Sequence, residues 1–412
     1  MNLNSLASLQ TQFYEATIEA LQQLKLLSPS EKEVEALVEQ LLKKEDLLLP
    51  QNHRKKLLDQ VVFSITGLGP LEFLLREDEV SEIMVNGTET IYIERQGKVM
   101  KTEYSFLSQE HLIQVINRIV GPLGRRIDES TPMVDARLPD GSRVNAIIPP
   151  LSLIGPVLTI RKFPKKVFQI EDLLSYKSIS PDMADFLCAC VESKQNILIS
   201  GGTGAGKTST LNACAGMIPR GERIITIEDA AEIRIDHPHL VSLEARASNV
   251  EGKGSVPIRA LVKNALRMRP DRIVVGEIRE GEAIDMLQAM NTGHQGSLTT
   301  VHANAPLESL FRIETMVLMG GIDMPLSAIR PQVIQAIDVI VQQNRLSDGR
   351  RIMTEIALVE KRLNSESYMV HPVFRYNPKT EEFMKVKRLP FDHFELETHS
   401  NIKSLFIRPN VS

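Results

Sequence analysis

The sequence predicts an α/β protein whose sheet-based core, covered by helices on both faces, follows a small α+β domain and an N-terminal helical module. Three observations predict it. Short apolar runs at 197–199, 224–227, 273–275 and 298–301 alternate with helical stretches, the texture of buried parallel strands. Between 76 and 163, brief strand-like runs are punctuated by turn pairs such as Asn86-Gly87 and Gln96-Gly97. Ahead of both, apolar residues recur at helical spacing.

The chain has 412 residues, and one domain per roughly 150 residues leads to an expectation of two or three. Its 42% apolar and 24% charged residues are those of a soluble globular protein. A formal net charge of −4 supplies no whole-chain attraction to nucleic acid, so none is expected as a partner. The most apolar stretch, 144–160, is broken by Pro149, Pro150, Gly155 and Pro156 and does not read as a membrane span. The first 24 residues lack the order of a signal peptide, which leads to an expectation of a cytoplasmic location. Cys188, Cys190 and Cys214 suit neither a zinc site nor a disulfide framework and are expected as reduced core residues.

The N-terminal module, 1–75, is justified by two stripes. Val34, Leu37, Val38, Leu41 and Leu42 share one helical face, with Ser30 and Glu33 spelling a capping box, and Leu57, Leu58, Val61, Val62 and Ile65 repeat the pattern before Gly67 and Pro70. A bundle and a partner-docking arm both fit it. In the α+β domain, 76–163, a helix around Leu112, Ile116 and Val120 interrupts the strands, and a strand pair flanks Pro139-Asp140-Gly141. Arginines crowd its turns at 125, 126, 137, 143 and 161, and spacing alone reads each as a solvated surface group. A linker is expected at 164–172, the core at 173–362, and a polar tail whose sequence is uninformative about chemistry at 363–412.

Gly201-Gly202-Thr203-Gly204-Ala205-Gly206-Lys207-Thr208-Ser209 follows one apolar strand and leads into a helix expected over 211–217. That strand, glycine loop, helix order is a P-loop. Glycines at 201, 204 and 206 allow backbone angles that turn amides inward around phosphates, and the helix N-terminus adds partial positive charge. Lys207 is expected on the β- and γ-phosphates, Thr208 on Mg2+ and Ser209 near the α-phosphate, so ATP and Mg2+ are the expected ligands. Ligands of such sheets sit beyond the strands' carboxyl ends, where Glu228-Asp229 and Glu277 fall. A glutamate there can orient or deprotonate water and help hold Mg2+ through water. Gly276 stands where many P-loop enzymes place a Mg2+-binding aspartate. His294 and His302 bracket the next strand, and for His302 spacing leaves a structural role and γ-phosphate sensing equally open.

In order, these boxes resemble a family: the secretion and pilus-assembly ATPases of the type II/type IV secretion superfamily, and within it the CpaF/TadA-like motors of tight-adherence pili. The match is carried by the P-loop, by Thr226-Ile227-Glu228-Asp229-Ala230-Ala231-Glu232, by 266–272 with Gly276-Glu277-Ile278-Arg279, by 290–294 with His302-Ala303-Asn304, and by 135–143. The resemblance implies a homo-hexameric ring, with ATP lying between a PAS-like domain and a RecA-like P-loop NTPase core. It implies that Glu228 and Glu277 are the water-activating and Walker B carboxylates, His302 a phosphate sensor, and Arg137 and Arg143 phosphate contacts. It also implies pilus platform proteins as partners, at the cytoplasmic face of the inner membrane, with membrane association through those partners only. Three cysteines cannot form the tetracysteine zinc module of many relatives, which favours the CpaF/TadA branch or a retraction motor. The expected activity is ATP hydrolysis driving pilus assembly, with retraction left open, and the alternatives from other classes are a RecA-like DNA or RNA translocase and a non-motor nucleotide-gated regulatory protein.

Overall fold

The computed structural model describes residues 3–386 except 27, 46–48, 164–166, 247–253, 322 and 362–366. It divides into two compact units, Met1–Lys165 and Lys166–Ser412. Parts of the expected linker (164–166) and tail (363–366 and 387–412) lie outside the described residues.

The first unit opens with α1 (Leu3–Gln23), α2 (Glu31–Lys44) and α3 (Gln51–Thr66). The Ser30/Glu33 capping box starts α2 as its spelling predicts. Phe13, Val34, Val38, Leu57 and Val61 close the core of this bundle. After α4 (Leu71–Arg76) come β1 (Val80–Asn86), β2 (Ile91–Arg95), β3 (Lys98–Lys101), α5 (Gln109–Val120), β4 (Met133–Arg137), β5 (Arg143–Ile147) and β6 (Val157–Arg161). They form an antiparallel sheet in the order β3-β2-β1-β6-β5-β4. Positive φ at both Gln96 and Gly97 makes the two-residue β2–β3 turn the sequence expects. Central strand β6 was not legible, because its apolar residues run on from a proline-rich stretch.

Helix α5 is capped by Ser108 and buries Leu112, Val115, Ile116, Ile119 and Val120, a helical stripe facing the sheet. Its other residues bind the bundle. Arg118 Nη1 donates to the carbonyls of Ser64 (3.1 Å) and Gly67 (2.7 Å) at the end of α3, and His111 Nε2 lies 3.2 Å from the Ser64 carbonyl. The helical and α+β segments lie within one compact unit.

In the second unit α6 (Ile170–Ser175) and α7 (Pro181–Glu192) precede β7 (Ile197–Gly201), α8 (Lys207–Gly216), β8 (Ile224–Glu228), β9 (Leu240–Glu244), α9 (Ile258–Ala265) and β10 (Arg272–Val275). Then follow α10 (Glu282–Asn291), β11 (Leu298–Val301), α11 (Pro306–Met319), α12 (Leu326–Ala336), β12 (Val339–Arg345), β13 (Arg351–Val359), β14 (Val370–Asn377) and β15 (Glu382–Lys385). The sheet runs β15-β14-β13-β12-β7-β11-β10-β8-β9, parallel from β12 to β9 and antiparallel beyond β12. Alternate residues feed opposite cores: Ile197, Ile199 and Val341 one, Leu198, Ile227 and Ile340 the other. This is why the central strands read as continuous apolar runs.

Three expectations need correction here. Residues 170–172, assigned to a linker, begin α6, because Gln169 and Asp172 cap one another. The tail assigned from 363 carries β14 and β15, which extend the core sheet. Of the cysteines, Cys190 and Cys214 are buried and free, but Cys188 is only half-buried.

Candidate active site

The P-loop joins the carboxyl end of the central strand β7 to α8. Helix α8 begins at Lys207, one turn before the expected start, so Thr208 and Ser209 lie in its first turn. Gly204 and Gly206 have φ of 70° and 95°, the left-handed region that glycine enters freely. Gly201 serves a different purpose from the one expected. It is the last residue of β7, and a Cβ there would fall 2.4 Å from the Gln343 carbonyl oxygen, so its role is close approach rather than an open angle. Gly202 and Thr203 complete the turn, and Ala205 is buried beneath it.

Lys207 is only 8% exposed, and its Nζ donates to the carbonyls of Gly201 (3.0 Å) and Gly202 (3.2 Å). Burial pushes its ammonium below the usual lysine range. The same Nζ lies 3.4 and 3.3 Å from the two ring nitrogens of His302, just past β11. Burial, then the neighbouring Lys207 charge, pulls His302 below its ordinary value and favours the neutral ring. His302 Nε2 in turn lies 2.8 Å from Glu277 Oε1, close but not aligned as a hydrogen bond. Glu277 Oε2 accepts from Arg279 Nε (2.9 Å) and Nη2 (2.6 Å). Lys207, His302, Glu277 and Arg279 thus form one chain of contacts across the ends of β7, β11 and β10.

Glu228, at the end of β8, is buried, and its Oε1 accepts from the backbone N–H of Glu232 (2.8 Å) and Ile233 (3.0 Å). Burial outweighs those bonds and raises its carboxyl to about 7, the range of a group that exchanges protons near neutrality. Gly276 packs beneath it: a Cβ there would lie 2.9 Å from Glu228 Cγ. The space an aspartate would occupy belongs to Glu228.

Among the described residues no cluster of three His, Cys, Asp or Glu could hold a metal. A Mg2+ carried in with phosphate oxygens and water would meet the Thr208 hydroxyl in the first turn of α8.

Arg137 and Arg143 lie in the first unit, directly opposite one another on β4 and β5. Arg161 on β6 continues the row opposite Arg143. His294 precedes β11, at the end away from His302.

Sequence reasoning missed the groups that brace the P-loop from β12 and β13. Gln343 Oε1 accepts from Thr210 Oγ1 (2.7 Å), and Arg351 Nε donates to the Gly204 carbonyl (3.0 Å). Arg345 Nη1 lies 3.6 Å from where a Cβ on Gly204 would be. Asp348-Gly349, a hairpin turn signal, was the sequence's available clue to this pair of strands.

The sequence model of a family described as "Type II/IV secretion system protein" matches residues 64–370. A Mycobacterium tuberculosis (strain H37Rv) protein whose name places it in conjugal transfer is 38% identical over 303 residues, covering 72% of this chain and 86% of its own. The type IV secretion system protein VirB11 of Bartonella henselae is 32% identical over 334 residues, covering 72% and 93%. In fold, the chain is similar to the crystal structure of the Legionella pneumophila ATPase DotB, with TM-score 0.51, 23% identity, and 70% and 79% covered. The chain belongs to the type II/IV secretion system protein family.

Proposed function

We propose that the chain is a Mg2+-dependent ATPase, working as a homo-hexameric motor that drives assembly of a tight-adherence pilus through platform proteins at the cytoplasmic face of the inner membrane. The observation that carries the chemistry is the contact chain from Lys207 through His302 to Glu277 at the strand ends beside the P-loop. In this reading the loop amides and Lys207 hold the β- and γ-phosphates. Thr208 would hold Mg2+, whose charge offsets that of the phosphates. Glu277 Oε1 orients a water whose oxygen bonds to the γ-phosphorus as the bond to the bridging oxygen of ADP breaks. The water's proton passes to Glu228, whose carboxyl near 7 suits that exchange. The neutral His302 ring reports the γ-phosphate, and Ser209 supports the α-phosphate. Arg137 and Arg143 are proposed as further phosphate ligands, and the α+β segment as the PAS-like domain that the family resemblance implies. A ligand that binds one arrangement better than another moves the protein toward it, which is how loss of the γ-phosphate becomes movement.

Replacing Lys207 and Glu277 separately tests the chemistry. Lys207→Ala should lose ATP binding and hydrolysis together. Glu277→Gln should keep binding while phosphate release falls by roughly 100-fold, the scale of misplacing the attacking group. Unchanged hydrolysis in Glu277→Gln would overturn the assignment.

The relatives' names favour a second reading, in which the motor serves a conjugation or type IV secretion apparatus. The net charge of −4 weighs against nucleic acid as the direct cargo. Hydrolysis stimulated by DNA, and lost as salt rises, would reverse that.

A further inference from the structure

The two carboxylate oxygens of Glu277 are not equivalent. Oε2 accepts two hydrogen bonds from the fork of Arg279, whereas Oε1 is buried without an aligned donor. Two charge-assisted donors on one oxygen hold that oxygen in place and so restrain rotation of the carboxylate about its terminal torsion. A buried acceptor left without an aligned donor is costly, so its presence beside the P-loop calls for a functional reason.

Arg279 is itself held in place. Its backbone N–H donates to Glu282 Oε1 (2.6 Å), as does that of Glu280 (3.0 Å). The Ile278 N–H donates to the Thr300 carbonyl of β11, and Thr300 Oγ1 donates to the Gly276 carbonyl. Across the strand ends, Arg279 Nη1 lies 3.8 Å from Asp229 Oδ2. The segment carrying Glu277 is thus tied to β11 on one side and to α10 on the other, and its side chain is oriented from a fixed base.

We propose that Arg279 is a positioning residue for hydrolysis: it occupies Glu277 Oε2 and leaves Oε1, which faces His302 Nε2 at 2.8 Å, to receive the attacking water. The inference rests on reading Glu277 as the water-orienting carboxylate. Without the fork, the carboxylate turns about its terminal torsion, and Oε1 spends less time where the water must sit.

The test is a double-mutant cycle in the full chain, with kcat and KM for ATP measured for Arg279→Gln, Arg279→Lys, Glu277→Gln and Arg279→Gln/Glu277→Gln. Arg279→Gln should lower kcat by roughly 10- to 100-fold, the scale of a small misplacement, with KM little changed. Arg279→Lys should recover part of the rate, since it restores the charge but not the fork. The double variant should be no slower than Glu277→Gln within about twofold, because Arg279 acts through Glu277. Losses that multiply in the double variant, or an Arg279→Gln effect confined to KM, would overturn the inference while leaving the role of Glu277 intact. A Glu277→Gln variant that hydrolyses at the full rate would instead sink the reading beneath it.

Discussion

Gly276 and Glu228 show how a residue's meaning depends on what packs against it. The sequence exposes the missing aspartate, but only the fold shows Glu228 lying across Gly276. Gly276→Asp should therefore reduce kcat instead of improving metal binding. It should also destabilise the chain by about 1–3 kcal/mol, the usual cost of forcing extra atoms into a packed site. Denaturant midpoints and steady-state rates measure both, and a variant with wild-type stability and rate would contradict the packing argument. Most of the P-loop was legible one residue at a time, because a lysine and a threonine carry an ammonium and a hydroxyl whatever packs around them. Gly201 was legible as a glycine but not in its cause, since the opposing Gln343 carbonyl is 142 positions away in sequence.

At the scale of elements, pattern reveals strands buried on both faces better than strands at the rim. Strands β7, β8, β10 and β11 announce themselves as apolar runs, whereas edge strand β9 is half-exposed and mixes polar with apolar residues. Helix α5 was legible from its stripe, but its second task was not: His111 and Arg118 join the bundle through carbonyls that no sequence pattern marks. Burial, the largest influence, pushes His111 down from 6.5 to about 4, so the folded chain keeps it neutral. Between those values the unfolded chain binds the proton and the folded chain does not, so stability falls as pH drops from 6.5 toward 4. The total loss is about 3 kcal/mol. Urea unfolding of wild type and His111→Gln across that window should differ in slope, the variant being flatter. Parallel slopes would contradict the buried neutral histidine.

Across the whole molecule, family membership was legible because several boxes recur in order along the chain, four of them at the ends of different strands of one sheet. The sheet's reach was not. Strands β14 and β15 lie in what reads as a polar tail, and their place comes from pairing onto β13. The proposed ring would be a property of several chains together, and the proposal's central claim is that catalysis depends on assembly. The most direct test is ATP hydrolysis per chain measured against protein concentration, with sedimentation in parallel and Lys207→Ala as control. A rate per chain that rises as hexamers form, and is absent in the control, is the predicted result; concentration-independent hydrolysis by a monomer would contradict the account.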